Sequence, residues 1–431
     1  MANLGSAERP LRVAIIGSGP GGFYAASALF KQQLNIKVDM FDRLPAPFGL
    51  VRYGVAPDHP KIKNVIKVYE KEAQNPNFTF FGNVNVGEQI SINELKQFYD
   101  AIVIATGAET DRKLGIEGEG LVGSHASTEF VGWYNGHPDF QDLTFDFSHE
   151  VAVVIGQGNV AMDVCRILLK TVDELKSSDI TQNALEALAS SKIKEVHCFG
   201  RRGPVQASFT PIEIREFGEL ADCNPVIDPS VLQVNEASLK ELEDPVRKKN
   251  FEILTELSHI NHDGKSRKFY LHFYKSPIEI LGNGRVQSVV FEKNQLIGEP
   301  GAQKVRGTGV QEKINCGLVF RSIGYLGVPL KGLPFSSNYG VIPNQKGRIT
   351  DSEQVFTGLY VAGWIKRGAT GIIGTNKADS EETIHSLIED IPHLIPCAQP
   401  STQAVSEFLR SKEIRAVSFA EWKKIDAAEI E

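Results

Sequence analysis

Leu11-Arg-Val-Ala-Ile-Ile-Gly17-Ser-Gly19-Pro-Gly21-Gly22 decides the fold. The near-continuous apolar run before the turn is that of a parallel strand buried on both faces. Phe23-Tyr-Ala-Ala-Ser-Ala-Leu-Phe30 after it is a good helix. Between them Gly17 permits a tight turn, Gly19 lets backbone approach a pyrophosphate, and Gly22 allows close helix packing. The helix start adds free N–H groups and the positive end of its dipole. The next strand, Lys37–Phe41, ends at Asp42, 20 residues after Gly22. A carboxylate there binds ribose hydroxyls. This is a βαβ unit for a dinucleotide.

Val151-Ala-Val-Val-Ile-Gly156-Gln157-Gly158-Asn159-Val-Ala161 repeats the pattern, with Ala in place of the third glycine. The following helix runs over Met162–Lys170, and 177–191 is expected as an inserted helix. The second strand, Val196–Phe199, ends in Gly200-Arg201-Arg202 with no acid. A carboxylate repels a 2′-phosphate, whereas guanidinium groups bind it by charge-assisted hydrogen bonds. Each is worth about 1.5–3 kcal/mol, one to two decades in affinity. The first turn therefore suits FAD and the second NADPH. Hydride chemistry belongs to the cofactors, and the protein supplies orientation.

Outward from these turns, the Pro- and Gly-rich loop Leu44–Pro60 is long for a βα connection, and long ordered loops tend to be functional. A helix is expected over 61–74 and a strand over Ala101–Ala105. The region 206–324 mixes a charged helix (244–258) with strands at Phe269–Tyr274 and Val286–Phe291. The strand Gly358–Gly363 leads into Trp364-Ile-Lys-Arg-Gly-Ala-Thr-Gly371 and a helix over Asp379–Glu389. The expected fold is α/β: two Rossmann-like dinucleotide-binding domains. A discontinuous FAD domain, 10–107 and 325–431, encloses an inserted NADP domain, 108–324.

Composition narrows the class. At 431 residues, two or three domains are expected. Net charge is −7, which argues against nucleic acid as main partner. Cysteines 165, 198, 223, 316 and 397 show no C-x-x-C or metal-ligand spacing. They are expected as reduced thiols, with no metal site, Fe–S cluster or redox disulfide. Electrons then leave for an external one-electron protein or a small molecule. No apolar run approaches the roughly 18–20 residues of a membrane span, and MANLGSAERP lacks a targeting pattern.

Five segments carry a family resemblance: Pro47–Pro60, Phe130-Val-Gly-Trp-Tyr-Asn-Gly-His-Pro138, Gly156–Asp163, Gly200-Arg-Arg-Gly-Pro204 and Gly363-Trp-Ile-Lys-Arg-Gly368. In these the chain resembles the adrenodoxin reductase-type ferredoxin–NADP reductases. The resemblance implies FAD contacts at Gly21, Asp42, Leu50, Val86, Trp364, Gly371, Ile372 and Ile373. It implies NADP contacts at Gly156, Gln157, Gly158, Asn159, Arg201, Arg202, Glu213 and Gly371. Asp42 stands where relatives often carry Glu, and Ala369 where they often carry Pro.

The resemblance also implies NADPH as hydride donor and single electrons out to a [2Fe–2S] ferredoxin of adrenodoxin type. His59 and Asp163 correspond to positions near flavin and nicotinamide, with a tuning or positioning role. A loop-stabilising histidine and a dipole-favoured first-turn acid account for the same two residues. Arg215, Arg247, Lys248 and Lys249 match a basic docking face for the acidic ferredoxin; a solvated helix face explains them too. The enzyme is expected as a monomer, in the mitochondrial matrix of a eukaryote or the cytoplasm of a bacterium. The alternatives are a flavin reductase domain similar to the glutamate synthase small subunit, which normally brings Fe–S cysteine clusters, and a non-enzymatic protein that keeps the nucleotide folds.

Overall fold

The computed structural model describes residues 3–260, 264–352 and 354–430. The chain divides into two compact units: residues 1–55, 61–110 and 325–431 form the first, and residues 56–60 and 111–324 the second.

In the first unit β1 (Leu11–Ile16) is buried along its whole length and leads into α1 (Pro20–Phe30). β2 (Ile36–Phe41), β3 (Phe78–Phe81) and β4 (Ala101–Ile104) follow. The helix expected over 61–74 is divided into Pro60–Lys63 and Ile66–Ala73. Its first piece buries no residue and the second buries only Tyr69, so little packing holds the two in one rod.

The second unit contains β5 (Ser124–Ala126), β6 (Val151–Ile155), α2 (Asn159–Leu169), β7 (Glu195–Phe199) and β8 (Cys223–Val226). α3 (Pro245–Ser258), β9 (Arg267–His272), β10 (Lys275–Leu281), β11 (Ser288–Ile297), β12 (Lys304–Asn315) and β13 (Leu318–Arg321) complete it. Its described residues form a six-stranded sheet in the order β5-β13-β6-β7-β9-β8, parallel throughout. A separate antiparallel meander, β10-β11-β12, was not foreseen from the sequence. The insertion expected over 177–191 takes the form of Val172–Leu175 and Gln182–Ala189.

The chain then returns to the first unit with β14 (Asn344–Gln345), β15 (Arg348–Asp351), β16 (Gln354–Val361), α4 (Thr375–Asp390) and α5 (Phe419–Ile430). Its sheet runs β14-β15-β16-β4-β1-β2-β3, with β16, β4, β1, β2 and β3 parallel and β14 and β15 antiparallel at one edge. Both units are therefore α/β around largely parallel sheets, and in each a glycine turn leaves the C-terminal end of an interior strand. That end, where strand order reverses between β4-β1 and β1-β2, is where doubly wound sheets bind ligands.

The loop after β2 is pinned by packing. Phe48 takes a left-handed φ of 86°, unusual for an aromatic residue, and is 1% exposed. Its ring meets Trp422 of α5 edge-on at 5.0 Å. Residues 56–60, expected from the sequence to lie with the first domain, instead pack in the second unit, for the reason given below. No helix among the described residues is long and apolar enough to cross a membrane.

Candidate functional site: two glycine turns and a buried carboxylate cluster

In the first unit each glycine of the turn is required differently. Gly17 has φ +105°, and a Cβ there would lie 2.4 Å from the Ala105 carbonyl oxygen. A Cβ on Gly22 would lie 2.1 Å from the Gly17 oxygen, so this glycine lets α1 settle on β1. A Cβ on Gly19 would meet nothing within 4 Å. Sterics of the chain do not demand Gly19, which is what a backbone reserved for ligand approach predicts. α1 has no side-chain N-cap and no acid in its first turn, so its leading amides and dipole remain available to an anion.

Asp42 ends β2. Its Oδ2 accepts from the Ser18 amide at 2.9 Å and the Ser18 hydroxyl at 2.5 Å, and Oδ1 accepts from the Leu44 amide at 2.9 Å. Burial pushes its carboxyl upward against these bonds. A carboxylate has about four lone-pair sites, so Oδ1 keeps one for a ribose hydroxyl. The turn, the uncapped helix and this acid fit the adenosine diphosphate half of FAD.

Other expected FAD residues lie in the same unit. Gly21 approaches Gly363 closely, its Cβ position being 3.3 Å from the Gly363 Cα. Gly363 (φ +78°) donates its amide to Asp379 at 2.5 Å, and the Ser380 hydroxyl donates to the Gly21 carbonyl at 3.0 Å. Trp364 is half-buried and its Nε1 donates to the Thr370 carbonyl at 3.1 Å. Gly371 (φ +78°) and Ile372 are exposed, and Ile373 and Leu50 are half-buried. Val86 is buried.

The second turn repeats the first in the second unit. Gly156 has φ +129°, and a Cβ there would lie 1.9 Å from the Ser322 oxygen. A Cβ on Gly158 would meet nothing within 4 Å. Gln157 Nε2 donates to the His272 carbonyl at 2.8 Å, and Asn159 Oδ1 accepts from the Thr210 amide at 2.9 Å. Arg201 and Arg202 are exposed, and among the described residues neither has an ion pair. Partial burial lowers the pKa of Arg202, and repulsion from Arg201 and Arg247 lowers it further. The nearby Glu241 carboxylate opposes this only in part, and two guanidinium groups with no direct ion pair among the described residues suit an anion.

His59, Asp163 and Glu213 come together in the second unit around Arg166, which the sequence did not single out. Arg166 is 0% exposed. Its Nε donates to Asp58 Oδ2 at 2.7 Å and its Nη2 to Asp58 Oδ1 at 3.0 Å. It also reaches Asp163 at 2.6 Å, Glu213 at 3.0 Å and Glu216 at 3.1 Å. Lys170 adds a third bond to Asp58 at 2.7 Å. These bonds tie residues 56–60 to the second unit. Asp163 is thus a buried partner of Arg166 at the fifth residue of α2, not a dipole-favoured first-turn acid.

His59 Nε2 lies 3.1 Å from both Glu216 oxygens, and its Nδ1 lies 3.8 Å from Glu213 and 4.0 Å from Asp163. Burial opposes the charged imidazole, but the Glu216 hydrogen bond and the nearby acids outweigh it, and its pKa rises. Glu213 is pushed up to about 7 by burial and by Asp163. Asp58 goes the other way: its bonds to Arg166 and Lys170 outweigh burial and hold it below its ordinary value. With every group ionised the cluster holds four negative charges and three positive ones. One proton makes it neutral, and burial raises both Glu213 and Asp163 toward holding it.

The four cations expected at a docking face divide. Arg247 pairs with buried Glu241, and Lys249 pairs with Glu252 at 3.0 Å. Arg215 and Lys248 are exposed and, among the described residues, have no ion pair. All five cysteines are free and buried.

The pyridine nucleotide-disulphide oxidoreductase family matches residues 11–197. The chain is 45% identical to NADPH-ferredoxin reductase FprA of Mycobacterium tuberculosis (strain ATCC 25618 / H37Rv), over 98% of this chain and 94% of that one. It is 42% identical to the mitochondrial NADPH:adrenodoxin oxidoreductase of Arabidopsis thaliana (98% and 91%) and 41% identical to that of Homo sapiens (98% and 88%). A solved structure of Mycobacterium tuberculosis FprA in complex with NADPH superposes with a TM-score of 0.92 at 44% identity, over 97% of this chain and 94% of that one.

Proposed function

The chain belongs to the family of NADPH-ferredoxin reductases and NADPH:adrenodoxin oxidoreductases, and from that membership we propose that it carries electrons from NADPH, through bound FAD, to a [2Fe–2S] ferredoxin. The observation that carries this reading is the contrast between two like turns: Asp42 follows the strand after the first, and Arg201-Arg202, with no ion pair among the described residues, follow the strand after the second. FAD, when bound, supplies the chemistry of accepting a hydride and releasing electrons singly.

The chain's own residues bind and orient. The amides at the start of α1 face the FAD pyrophosphate and Asp42 Oδ1 takes a ribose hydroxyl. Leu50, Val86, Trp364 and 371–373 complete that site. Residues 156–159 would cradle the NADPH pyrophosphate, Arg201 and Arg202 would bind its 2′-phosphate, and Glu213 of the same unit would contact the nucleotide. His59 and Asp163 position and tune through the Arg166 cluster; a hydride carries its own proton and requires no separate acid or base. The first unit is thus the FAD domain and the second the NADP domain.

The cysteines are buried and none forms a disulfide; the family membership points to a carrier protein as the electron acceptor. Arg215, Arg247, Lys248 and Lys249 steer it by charge, with Arg215 and Lys248 the freest to do so. The enzyme acts as a monomer. Its compartment follows its source: mitochondrial in a eukaryote, cytoplasmic in a bacterium.

The test is NADPH-driven cytochrome c reduction by the flavin-loaded protein, with and without [2Fe–2S] ferredoxin. Stimulation by ferredoxin, weakened by salt, is expected. A rate indifferent to both would overturn the partner, and protein purified without flavin absorbance would overturn the cofactor. Arg202→Glu is expected to shrink the preference for NADPH over NADH by one to two decades.

A further inference from the structure

The three consecutive carbonyls of Gly200, Arg201 and Arg202 are engaged by Tyr274, by Lys275 at the start of β10 and by Asn294 of β11. Lys275 donates its amide to the Gly200 carbonyl at 3.0 Å. Asn294 donates Nδ2 to the Arg201 carbonyl at 3.0 Å. Tyr274 donates its amide to the Arg202 carbonyl at 2.9 Å. The donors are themselves held: the Asn294 amide donates to the Tyr274 carbonyl at 2.7 Å, and Asn294 Nδ2 donates also to Ser276 Oγ at 2.8 Å.

Two irregularities make this geometry possible. Tyr274 adopts φ +55°, a left-handed conformation unusual for an aromatic residue. The pairing of β11 with β12 shifts register between Glu292 and Asn294. Such bulges re-aim a side chain, and here the re-aimed chain is Asn294, 8% exposed. The Tyr274 ring meanwhile occupies the space beside Gly203, where a Cβ would lie 2.4 Å from the tyrosine hydroxyl oxygen. Strain of this kind persists only where the surroundings over-determine it, and it gathers at binding sites.

We infer that Asn294 is a positioning residue for 2′-phosphate specificity: with Tyr274 it locks the backbone of Arg201-Arg202, so that the meander presets the two guanidinium groups for the phosphate. Arginine side chains on a free loop would lose backbone freedom on binding, and a fixed backbone removes that cost from the complex. Among the described residues, neither Asn294 nor Tyr274 hydrogen-bonds to residues 156–159 of the glycine turn. Removal of the lock should therefore weaken only ligands that carry the 2′-phosphate. It rests on the reading of Arg201-Arg202 as the NADPH-selecting pair.

The experiment is calorimetric titration of the flavin-loaded protein with adenosine 2′,5′-bisphosphate and with adenosine 5′-monophosphate, which differ only in the 2′-phosphate. The native protein should prefer the bisphosphate, and Asn294→Ala should lower that preference about tenfold, the worth of one buried hydrogen bond, with the monophosphate little changed. An equal loss for both ligands, or no loss for either, would overturn the inference. If the native protein binds both alike, the NADPH assignment of Arg201-Arg202 fails instead. Ser276→Ala, which removes only the hydroxyl that orients the Asn294 amide, is read in the same way should Asn294→Ala fail to fold; a ligand preference equal to that of the native protein then overturns the inference.

Discussion

Arg166 and Asp58, 108 residues apart, are joined by two hydrogen bonds, Nε to Oδ2 at 2.7 Å and Nη2 to Oδ1 at 3.0 Å, with the guanidinium wholly buried. This pair anchors the loop that carries His59, and three more acids share the same guanidinium. An arginine in this position neutralises charge that burial would otherwise penalise severely.

Arg166→Met keeps much of the volume and removes the charge. Leaving the buried acids uncompensated should cost about 3–5 kcal/mol, read as a lowered midpoint of chemical denaturation at pH 7. A midpoint equal to that of the native protein would show that the acids are compensated elsewhere.

Stability should depend on pH through Glu213 and His59. Glu213, at about 7 in the folded protein, lies above its unfolded value, so its protonated form stabilises the fold. That contribution is complete below the unfolded pKa and is lost as pH rises through about 7. His59 is also raised, so its contribution is lost as pH rises past its ordinary value of 6.5. Native stability should therefore fall relative to Glu213→Gln between about pH 4.5 and 7, by about 1.4 kcal/mol for each unit separating the two pKa values. Parallel stability–pH curves for the two proteins would contradict this.

Gly156 and Gly158 should separate folding from binding. Gly156→Ala places a methyl 1.9 Å from the Ser322 oxygen at φ +129°, and a melting temperature lowered by several degrees is expected. Gly158→Ala meets nothing within 4 Å, so it should melt close to the native temperature while KM for NADPH rises roughly tenfold or more. Equal melting of the two variants would refute the division.

Arg215→Glu with Lys248→Glu should lower kcat/KM for ferredoxin more than for a small acceptor such as ferricyanide, and should flatten the dependence on ionic strength. Unaltered salt dependence would move the docking face elsewhere.

Both glycine turns, their strands and helices, and the contrast between Asp42 and Arg201-Arg202 were legible in sequence, because each depends on residues adjacent in the chain. A glycine at φ > 0, an uncapped helix start and the residue that ends a strand are local facts. The divided helix over 60–73 was less legible, since apolar periodicity does not reveal how few of its residues find a core. His59, Asp163 and Glu213 could be named from resemblance but not from spacing, and neither route pointed to Arg166. A fully buried arginine in a helix shows no pattern of its own until its partners are known.

What the sequence by itself determined is therefore the pair of glycine-turn α/β folds and the charged side chain that follows the second strand of each, set by local stereochemistry. Only the tertiary structure decided that residues 56–60 pack in the second unit, that four acids converge on Arg166, and that Asn294 and Tyr274 hold the carbonyls of Arg201 and Arg202. The reason is physical. The energy of a buried charge or a buried carbonyl is set by the groups brought about 3 Å from it, and here most of those groups, Asp58, Glu213 and Asn294 among them, come from segments many tens of residues away.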